Sequence, residues 1–132
     1  MKISTKSQYG LRAMLYLAKR KDICSVKDVA LKEKIPFDYL SKIFLKLKKA
    51  RLVRVKRGGQ GGYFLALPAG KISIGKIIGV LDGDRKAAPC LGGGKSYACP
   101  HNRSCSAKGI WKKIQHSWES TLDSLTLAQA AE

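Results

Sequence analysis

The sequence predicts a mainly α-helical protein with one small β-hairpin. Apolar residues recur every three or four positions through residues 5–50 and again after about Ser106, which is typical of amphipathic helices. Between these regions, a short alternation of apolar and basic residues meets a glycine-rich turn, as in a hairpin. The chain has 132 residues, 45% of them hydrophobic, which suffices for the core of one domain.

Three helices are expected in the first 50 residues. The first spans residues 5–20, and the second begins where Ser25 can cap a helix, with the acidic Asp28 three positions on. Pro36 ends the second helix, because the residue before a proline is pushed out of the α region. The third helix runs from about residue 37 to 50, and its apolar stripe is formed by Leu40, Ile43, Phe44 and Leu47.

A basic β-hairpin follows the third helix directly. Residues 52–56 alternate apolar and basic side chains, residues 58–62 read GGQGG, and residues 63–67 form a second β-rich run. Two short helices with a tight break, followed by such a hairpin, predict a winged helix-turn-helix; the two helices alone would also fit a plain helical hairpin. A nucleotide phosphate loop is excluded, because GGQGG lies between two strands and no Lys-Ser or Lys-Thr follows it.

Positive charge is concentrated on these same elements. The chain has 26 Lys and Arg against 9 Asp and Glu, a formal net charge of +17. No acidic residue lies between Asp38 and Asp82, and residues 42–57 hold eight basic ones. This pattern favours nucleic-acid binding over an ordinary solvated helix face.

The third helix is expected to enter the major groove of DNA, and the hairpin to contact the adjacent minor groove or the phosphates. The expected groove-facing residues of the helix are Tyr39, Ser41, Lys42 and Lys46. Those of the hairpin are Arg57, Gly59, Gln60 and Gly61, and the glycines there allow a close backbone approach. The residues expected chiefly to neutralise phosphates are Lys48, Lys49, Arg51, Arg54 and Lys56.

The second half of the chain differs in composition. Residues 72–82 predict a fourth helix capped near Ser73, with a buried stripe formed by Ile74, Ile77, Ile78 and Leu81. A long amphipathic helix starts near Ser106. The apolar face of the long helix could fold back on its own domain, but pairing with a second copy of the chain is favoured. Thr126 and Gln129 suggest a capping box and a short terminal helix. The expected organisation is a DNA-binding domain over 1–82, a cysteine-bearing loop over 83–106, and a dimerisation helix with a terminal helix over 106–132.

Three cysteines fall within the polar loop, spaced C-x8-C-x5-C at Cys90, Cys99 and Cys105. This pattern is compatible with an iron–sulfur cluster, since a glycine- and proline-rich loop can wrap a cluster and donate N–H groups to its sulfurs. A zinc site or free redox thiols remain alternatives. His101 could supply a further ligand or be an ordinary exposed histidine, and Cys24 is expected to be a small part-buried residue.

These segments together resemble a known family. The segments STKSQYGLRAMLYLA, YLSKIFLKLKKARLVRVKRGGQGGYFLA and ISIGKIIGVLDG, then three loop cysteines and a long helix, resemble the IscR/NsrR/CymR family of bacterial winged-helix transcription regulators. The resemblance implies homodimers that bind partly palindromic double-stranded operators. It also implies that the three loop cysteines hold a [2Fe–2S] or [4Fe–4S] cluster.

The fourth ligand is where the chain departs from this family. IscR-like members place a histidine three residues after the last cysteine, where this chain has Lys108. NsrR-like members use an acidic residue near the start of the first helix of the partner subunit, where this chain has Gln8. The chain therefore matches neither family pattern at the fourth ligand, and the candidates are His101, from its place two residues after Cys99, and the Gln8 position of the partner subunit.

The function expected from the sequence is a dimeric, sequence-specific transcription regulator that senses redox, nitric oxide or iron status through the cluster. Alternatives are a winged-helix regulator without a cluster, which uses the cysteines as a thiol switch or zinc site, and one controlled by a partner protein. An enzyme is disfavoured because no catalytic constellation is present and acids are scarce; a non-specific architectural or RNA-binding protein would leave the cysteine loop unexplained. No small-molecule substrate is expected. The sequence contains neither a long apolar segment nor a signal peptide. We therefore expect the protein to lie in the cytoplasm and not to associate with a membrane.

Overall fold

The computed structural model of the protein describes residues 2–83, 86–91, 100–101 and 104–132. The helices of this part are α1 (Thr5–Arg20), α2 (Val26–Glu33), α3 (Phe37–Lys49), α4 (Ile74–Asp82), α5 (Lys108–Ser124) and α6 (Leu127–Ala130). The strands are β1 (Val53–Lys56) and β2 (Gly62–Leu65), and 3-10 turns span Ala69–Lys71 and Pro89–Leu91. The predicted mainly helical fold with a small hairpin is confirmed.

Side-chain caps define where the helices begin. The hydroxyls of Ser4, Ser25 and Ser73 each accept a hydrogen bond from the backbone N–H three residues on. The predicted capping box of α6 is present, with Thr126 and Gln129 bonding each other's backbone N–H. At α2, the carboxylate of Asp28 accepts a hydrogen bond from the Tyr16 hydroxyl at 3.0 Å.

The predicted strand and helix ends shift by a few residues. Residue 52 precedes β1 because the N–H of Leu52 bonds the Leu47 carbonyl at the end of α3, after Arg51 has turned with a φ of 63°. The second strand begins one residue earlier than expected, since Gly62 pairs with Lys56. The long helix starts at Lys108, whose N–H closes a turn on the Cys105 carbonyl at 3.3 Å.

β1 and β2 form an antiparallel sheet in which Val55 pairs with Tyr63. Cys24 adds a bridge on the other edge of β2, with backbone hydrogen bonds of 2.9 and 2.7 Å to Tyr63. Gly62 permits this approach, because a Cβ there would lie 2.3 Å from the Cys24 carbonyl oxygen. The hairpin is therefore attached to the segment between α1 and α2 as well as to α3.

One hydrophobic core unites the helices and the hairpin. The predicted stripes are its centre: the buried residues of α3 are Leu40, Ile43, Phe44 and Leu47, and those of α4 are Ile74, Ile77, Ile78 and Leu81. Gly10 lets α1 approach α4 closely, since a Cβ there would meet the Leu81 side chain at 2.2 Å. Leu127 of α6 is fully buried in the same core, and α6 thereby packs against α1.

The long helix α5 packs against α4 but leaves much of its surface exposed. Gly75 of α4 allows close contact, because a Cβ there would lie 3.2 Å from the Leu122 Cβ. Toward its start, α5 presents Ile110, Trp111 and Ile114 to solvent, with 56, 36 and 44% of their surface exposed. Among the described helices, none combines the length and the apolar character needed to cross a bilayer.

Candidate nucleic-acid interface and cysteine loop

The outer face of α3 carries a row of basic side chains. Lys42, Lys46 and Lys49 lie at positions i, i+4 and i+7 and are exposed. Tyr39 is 38% exposed and meets the ring of Tyr9 from α1 edge-on, with 5.5 Å between the ring centroids. The opposite face of α3 is buried in the core, so the charged face is the one available to a partner.

Ser41 differs from its neighbours on α3. Its hydroxyl donates a hydrogen bond of 2.9 Å to the Phe37 carbonyl one turn earlier. The residue is half-buried, and the hydroxyl oxygen keeps acceptor capacity. Ser41 thus lies beside the exposed row, and its hydroxyl proton is used in a hydrogen bond to the helix backbone.

Lys6 of α1 and Lys46 of α3 lie next to each other at this surface. The ammonium of Lys6 in α1, within hydrogen-bonding reach, lowers the pKa of Lys46 in α3, and the smaller effect of the Asp82 carboxylate opposes this shift. Two cations this close repel each other, and an anion between them would relieve the repulsion. Charge from α1 therefore adds to that of α3.

The hairpin tip is also basic and exposed. Arg57, Gly58, Gly59 and Gln60 are all exposed, and the N–H of Gly61 closes a turn on the Gly58 carbonyl at 3.0 Å. Gly58 has a φ of 120°, which other residues rarely adopt, and a Cβ on Gly61 would lie 2.1 Å from the Lys56 carbonyl oxygen. A Cβ on Gly59 would meet nothing within 4 Å, so the fold does not itself require a glycine there.

Among the described residues, the basic side chains of α3 and the hairpin form no ion pair with an acidic residue. In the part of the chain that the structure describes, the ion pairs are Arg12 with Glu33, Arg20 with Asp22 and Lys86 with Glu119, none of them on α3 or the hairpin. The lysines and arginines of this surface are uncompensated in the sense that no described carboxylate forms an ion pair with them, and Asp82 has only a smaller effect on Lys46. Such a surface is suited to a polyanion.

The cysteine loop is described in part. Cys90 lies in the 3-10 turn Pro89–Leu91, and Cys105 lies in the turn that leads into α5; both are half-buried free thiols. Cys99 lies outside the described residues. Among the residues that are described, no three His, Cys, Asp or Glu side chains come together in a metal-binding group.

The two candidates for a fourth ligand are both at the surface. His101 is exposed, and its carbonyl accepts a hydrogen bond of 3.1 Å from the N–H of Ser104. Gln8 is exposed as well, and its side-chain Nε2 donates to the Ile3 carbonyl at 2.9 Å. Neither side chain is brought to Cys90 or Cys105 by a hydrogen bond among the described residues.

Cys24 belongs to the hydrophobic core. It is 4% exposed, and burial, reinforced by a hydrogen bond to the carboxylate of Asp22, raises its pKa to about 11. A thiol with such a pKa is almost entirely protonated near neutral pH and a poor nucleophile. Cys24 is therefore more deeply buried than the part-buried residue that the sequence predicted.

Sequence reasoning did not identify Gln115 of α5, which is only 7% exposed. Its side chain accepts a hydrogen bond of 2.6 Å from the N–H of Ala87, in the segment that leads to Cys90. The available signal was its register: Gln115 follows Trp111 by four residues and precedes Trp118 by three, so a polar residue stands on the apolar face.

A helix-turn-helix with an uncompensated basic surface and a glycine-tipped basic hairpin defines a winged-helix DNA-binding transcription regulator. Residues 3–132 match the Rrf2 family of iron-dependent transcriptional regulators, and the chain belongs to this family. It is thus a regulator of transcription and not an enzyme.

Individual relatives agree with this assignment. The chain is 33% identical to the helix-turn-helix regulator IscR of Vibrio vulnificus, over 98% of this chain and 76% of that protein. The structure of CymR of B. subtilis, described as its global cysteine regulator, matches with a TM-score of 0.84 and 32% identity over 99% of this chain and 96% of that one. The structure of T. potens IscR matches with a TM-score of 0.79 and 36% identity over 100% and 89% of the two chains.

Proposed function

We propose that the protein is a homodimeric regulator that recognises a specific, partly palindromic operator through α3 and the hairpin. The observation that carries this proposal is the uncompensated basic surface formed by these two elements. A dimer with two such surfaces would contact two half-sites separated by about one helical turn of DNA, or a multiple of it. Residues 1–82 would form the DNA-binding domain of each subunit.

Base recognition is assigned to Lys42 and Lys46 of the exposed row of α3. Lysine can donate to guanine O6 and N7 in the major groove, and Tyr39 and Ser41 can add polar contacts there. Arg57, Gln60 and the tip glycines Gly59 and Gly61 would approach the minor groove or its phosphates. Lys49 and Arg51 would contribute affinity through phosphates and carry little sequence information.

The test begins with selection of a binding sequence from randomised duplex DNA, followed by fluorescence anisotropy on that duplex. Lys42→Gln removes one base contact from each subunit of the dimer and should weaken binding at least tenfold, since each good contact is worth about 1–3 kcal/mol. Lys19→Gln, an exposed change in the last turn of α1, serves as the control. Equal affinity of the protein for random and selected DNA at physiological salt would contradict a specific regulator.

Dimerisation is assigned to α5, whose exposed apolar face needs a covering surface. Ile110, Trp111 and Ile114 would pair with the same face of a second copy across a two-fold axis. In sedimentation experiments, Ile114→Asp should convert dimers to monomers, whereas Ser117→Asp at an exposed position should leave the dimer intact. A wild-type protein that sediments as a monomer at micromolar concentration would contradict this assignment.

Signal sensing is assigned to an iron–sulfur cluster held by Cys90, Cys99 and Cys105. The two described thiols suit this role, because both are free and half-buried at turns. Either His101 or Gln8 of the partner subunit would complete the ligand set. When bound, a cluster of this kind would make the regulator responsive to oxidants, nitric oxide or iron supply.

Cluster binding would act by ordering the loop over residues 83–106 against α5 and so changing the spacing of the two recognition helices. A coupling free energy of about 1–3 kcal/mol would change operator affinity about 5–150-fold. Anaerobic purification with absorption spectroscopy and iron and sulfide analysis tests the cluster, and Cys99→Ala should abolish its visible absorption. Identical operator affinity of the cluster-loaded and apo proteins would contradict the switch.

A second candidate is a regulator without a cluster, with the loop cysteines as a thiol switch or zinc site, or under control of a partner protein. One observation favours it: CymR, the global cysteine regulator of B. subtilis, is similar in structure. A colourless anaerobic preparation would favour this candidate. Zinc analysis and redox titration of the thiols would then separate its forms. For either candidate we propose a cytoplasmic location.

A further inference from the structure

Gln115 is a buried polar residue on a helix that is otherwise largely exposed. Among the described residues of α5, Gln115 alone is buried, with 7% of its surface exposed. Its Oε1 accepts the 2.6 Å hydrogen bond from the N–H of Ala87, and its Nε2 donates to Glu119 Oε1 at 2.7 Å. Both ends of the amide are thereby satisfied inside the protein.

Glu119 extends this arrangement to the neighbouring residue of the loop. Its carboxylate lies 3.6 Å from Nζ of Lys86, whose side chain is 25% exposed. Two consecutive loop residues, Lys86 and Ala87, are therefore fastened to two α5 side chains that lie one helical turn apart. The ion pair between Lys86 and Glu119 and the hydrogen bond between Ala87 and Gln115 together fix the position of this segment along the helix.

Cys90 follows Ala87 by three residues. Three residues of extended chain span at most about 11 Å, and the 3-10 turn Pro89–Leu91 makes the actual span shorter. Fastening Ala87 to α5 therefore restricts Cys90 to a small region beside that helix. Without the fastening, residues 86–90 would have greater conformational freedom.

We propose that Gln115 is a positioning residue that holds Cys90 in place for the chemistry of the cysteine loop. This inference rests on the proposed sensing role of the loop and applies equally to a cluster and to a thiol switch. The amide is suited to the task because it accepts from the loop and donates to Glu119 at once. Through Gln115, the state of the loop is also tied directly to the helix that we assign to dimerisation.

Gln115→Met keeps the side-chain volume and removes both hydrogen bonds, whereas Gln115→Glu keeps an oxygen that can accept from Ala87. Ser117→Ala, at an exposed position of the same helix, is the matched control. Two measurements are made on the full-length apo protein: hydrogen exchange of the peptide containing Ala87, and the rate at which iodoacetamide modifies Cys90. A third measures how long the visible absorption survives in air after anaerobic purification.

In Gln115→Met, we expect exchange at Ala87 and modification of Cys90 to be at least about fivefold faster than in the wild type, with Cys24 still protected. Gln115→Glu should recover only part of the protection, because its carboxylate can still accept from Ala87 but repels Glu119 instead of donating to it. Wild-type rates in a folded Gln115→Met variant would overturn the inference. If this variant fails to fold by circular dichroism, Ala87→Pro removes the same hydrogen bond from the loop side and must accelerate modification of Cys90.

The first two measurements test Gln115 whether or not a cluster is present. A wild-type protein without visible absorption would contradict the cluster, and the exchange and modification rates would then decide the role of Gln115 by themselves. A brown wild-type protein whose absorption, exchange and modification rates are all matched by Gln115→Met would overturn the inference and leave the cluster supported.

Discussion

The ring of Phe44 in α3 stacks on the ring of Tyr63 in β2, with 4.5 Å between centroids and 8° between ring planes. Phe44 is fully buried and Tyr63 is 8% exposed. Through this pair the helix assigned to the major groove and the hairpin assigned to the minor groove are packed as one unit. Their relative position is thus set by the core and not by the hairpin loop.

Removing the stacked ring from the hairpin should loosen this unit. We expect Tyr63→Leu to lower the free energy of unfolding by about 1–2 kcal/mol, because stacking and some volume are lost. Urea denaturation measures the change. Tyr63→Phe keeps the ring and should stay within about 0.5 kcal/mol of the wild type. Equal stabilities of the Leu and Phe variants would mean that the stack contributes nothing.

Substitution by alanine should lower the stability at one glycine of the hairpin and leave it unchanged at another. Gly62→Ala would place a Cβ against the backbone of Cys24, and we expect a loss of about 1–3 kcal/mol in the free energy of unfolding. Gly59→Ala meets nothing and should leave stability within about 0.5 kcal/mol. If the tip approaches DNA closely as proposed, Gly59→Ala should nevertheless weaken operator binding, which anisotropy would detect. Unchanged binding would place the tip away from the groove.

Operator binding should depend steeply on salt. If about six phosphates are neutralised per dimer, the logarithm of the binding constant should fall against the logarithm of salt concentration with a slope near −5. Lys49→Gln removes one phosphate-binding cation per subunit and should reduce the magnitude of the slope by about 2, measured by anisotropy between 50 and 200 mM salt. A slope that is the same in the variant would show that Lys49 does not contact a phosphate.

Cys24 should be chemically inert in the folded protein. A pKa of about 11 in place of the ordinary 9.0 lowers the thiolate fraction near neutral pH about 100-fold, and burial hinders access further. Mass spectrometry after brief iodoacetamide treatment at pH 8 should find Cys90 and Cys105 modified well before Cys24. Modification of Cys24 at a similar rate in the native protein would contradict its placement beside β2.

The same thiol should contribute to the pH dependence of stability. Its pKa is raised in the folded state, so the stabilisation is fully present below about pH 9 and is lost as the pH rises toward about 11. The raised pKa of the buried Tyr63 acts in the same direction. Comparing wild type with Cys24→Ala by urea denaturation isolates the thiol, and the wild type should lose stability more steeply over this range.

Local patterns along the chain were sufficient to predict the helices. The stripes of α3 and α4 were predicted residue by residue, because burial follows helical periodicity once an apolar face is wide enough. The capping box of α6 was likewise readable, since a cap is a relation between residues three positions apart. Strand ends were less accurate, because pairing partners and not propensity decide where a ladder begins.

The sequence by itself determined the order of elements, the basic surface and the spacing of the loop cysteines. Only the tertiary structure decided that Cys24 borders β2, that Lys6 of α1 reaches Lys46 of α3, and that Gln115 is bonded to Ala87. Each of these relationships joins residues that are distant in the chain. They depend on how whole elements pack, which residue spacing along one element does not encode.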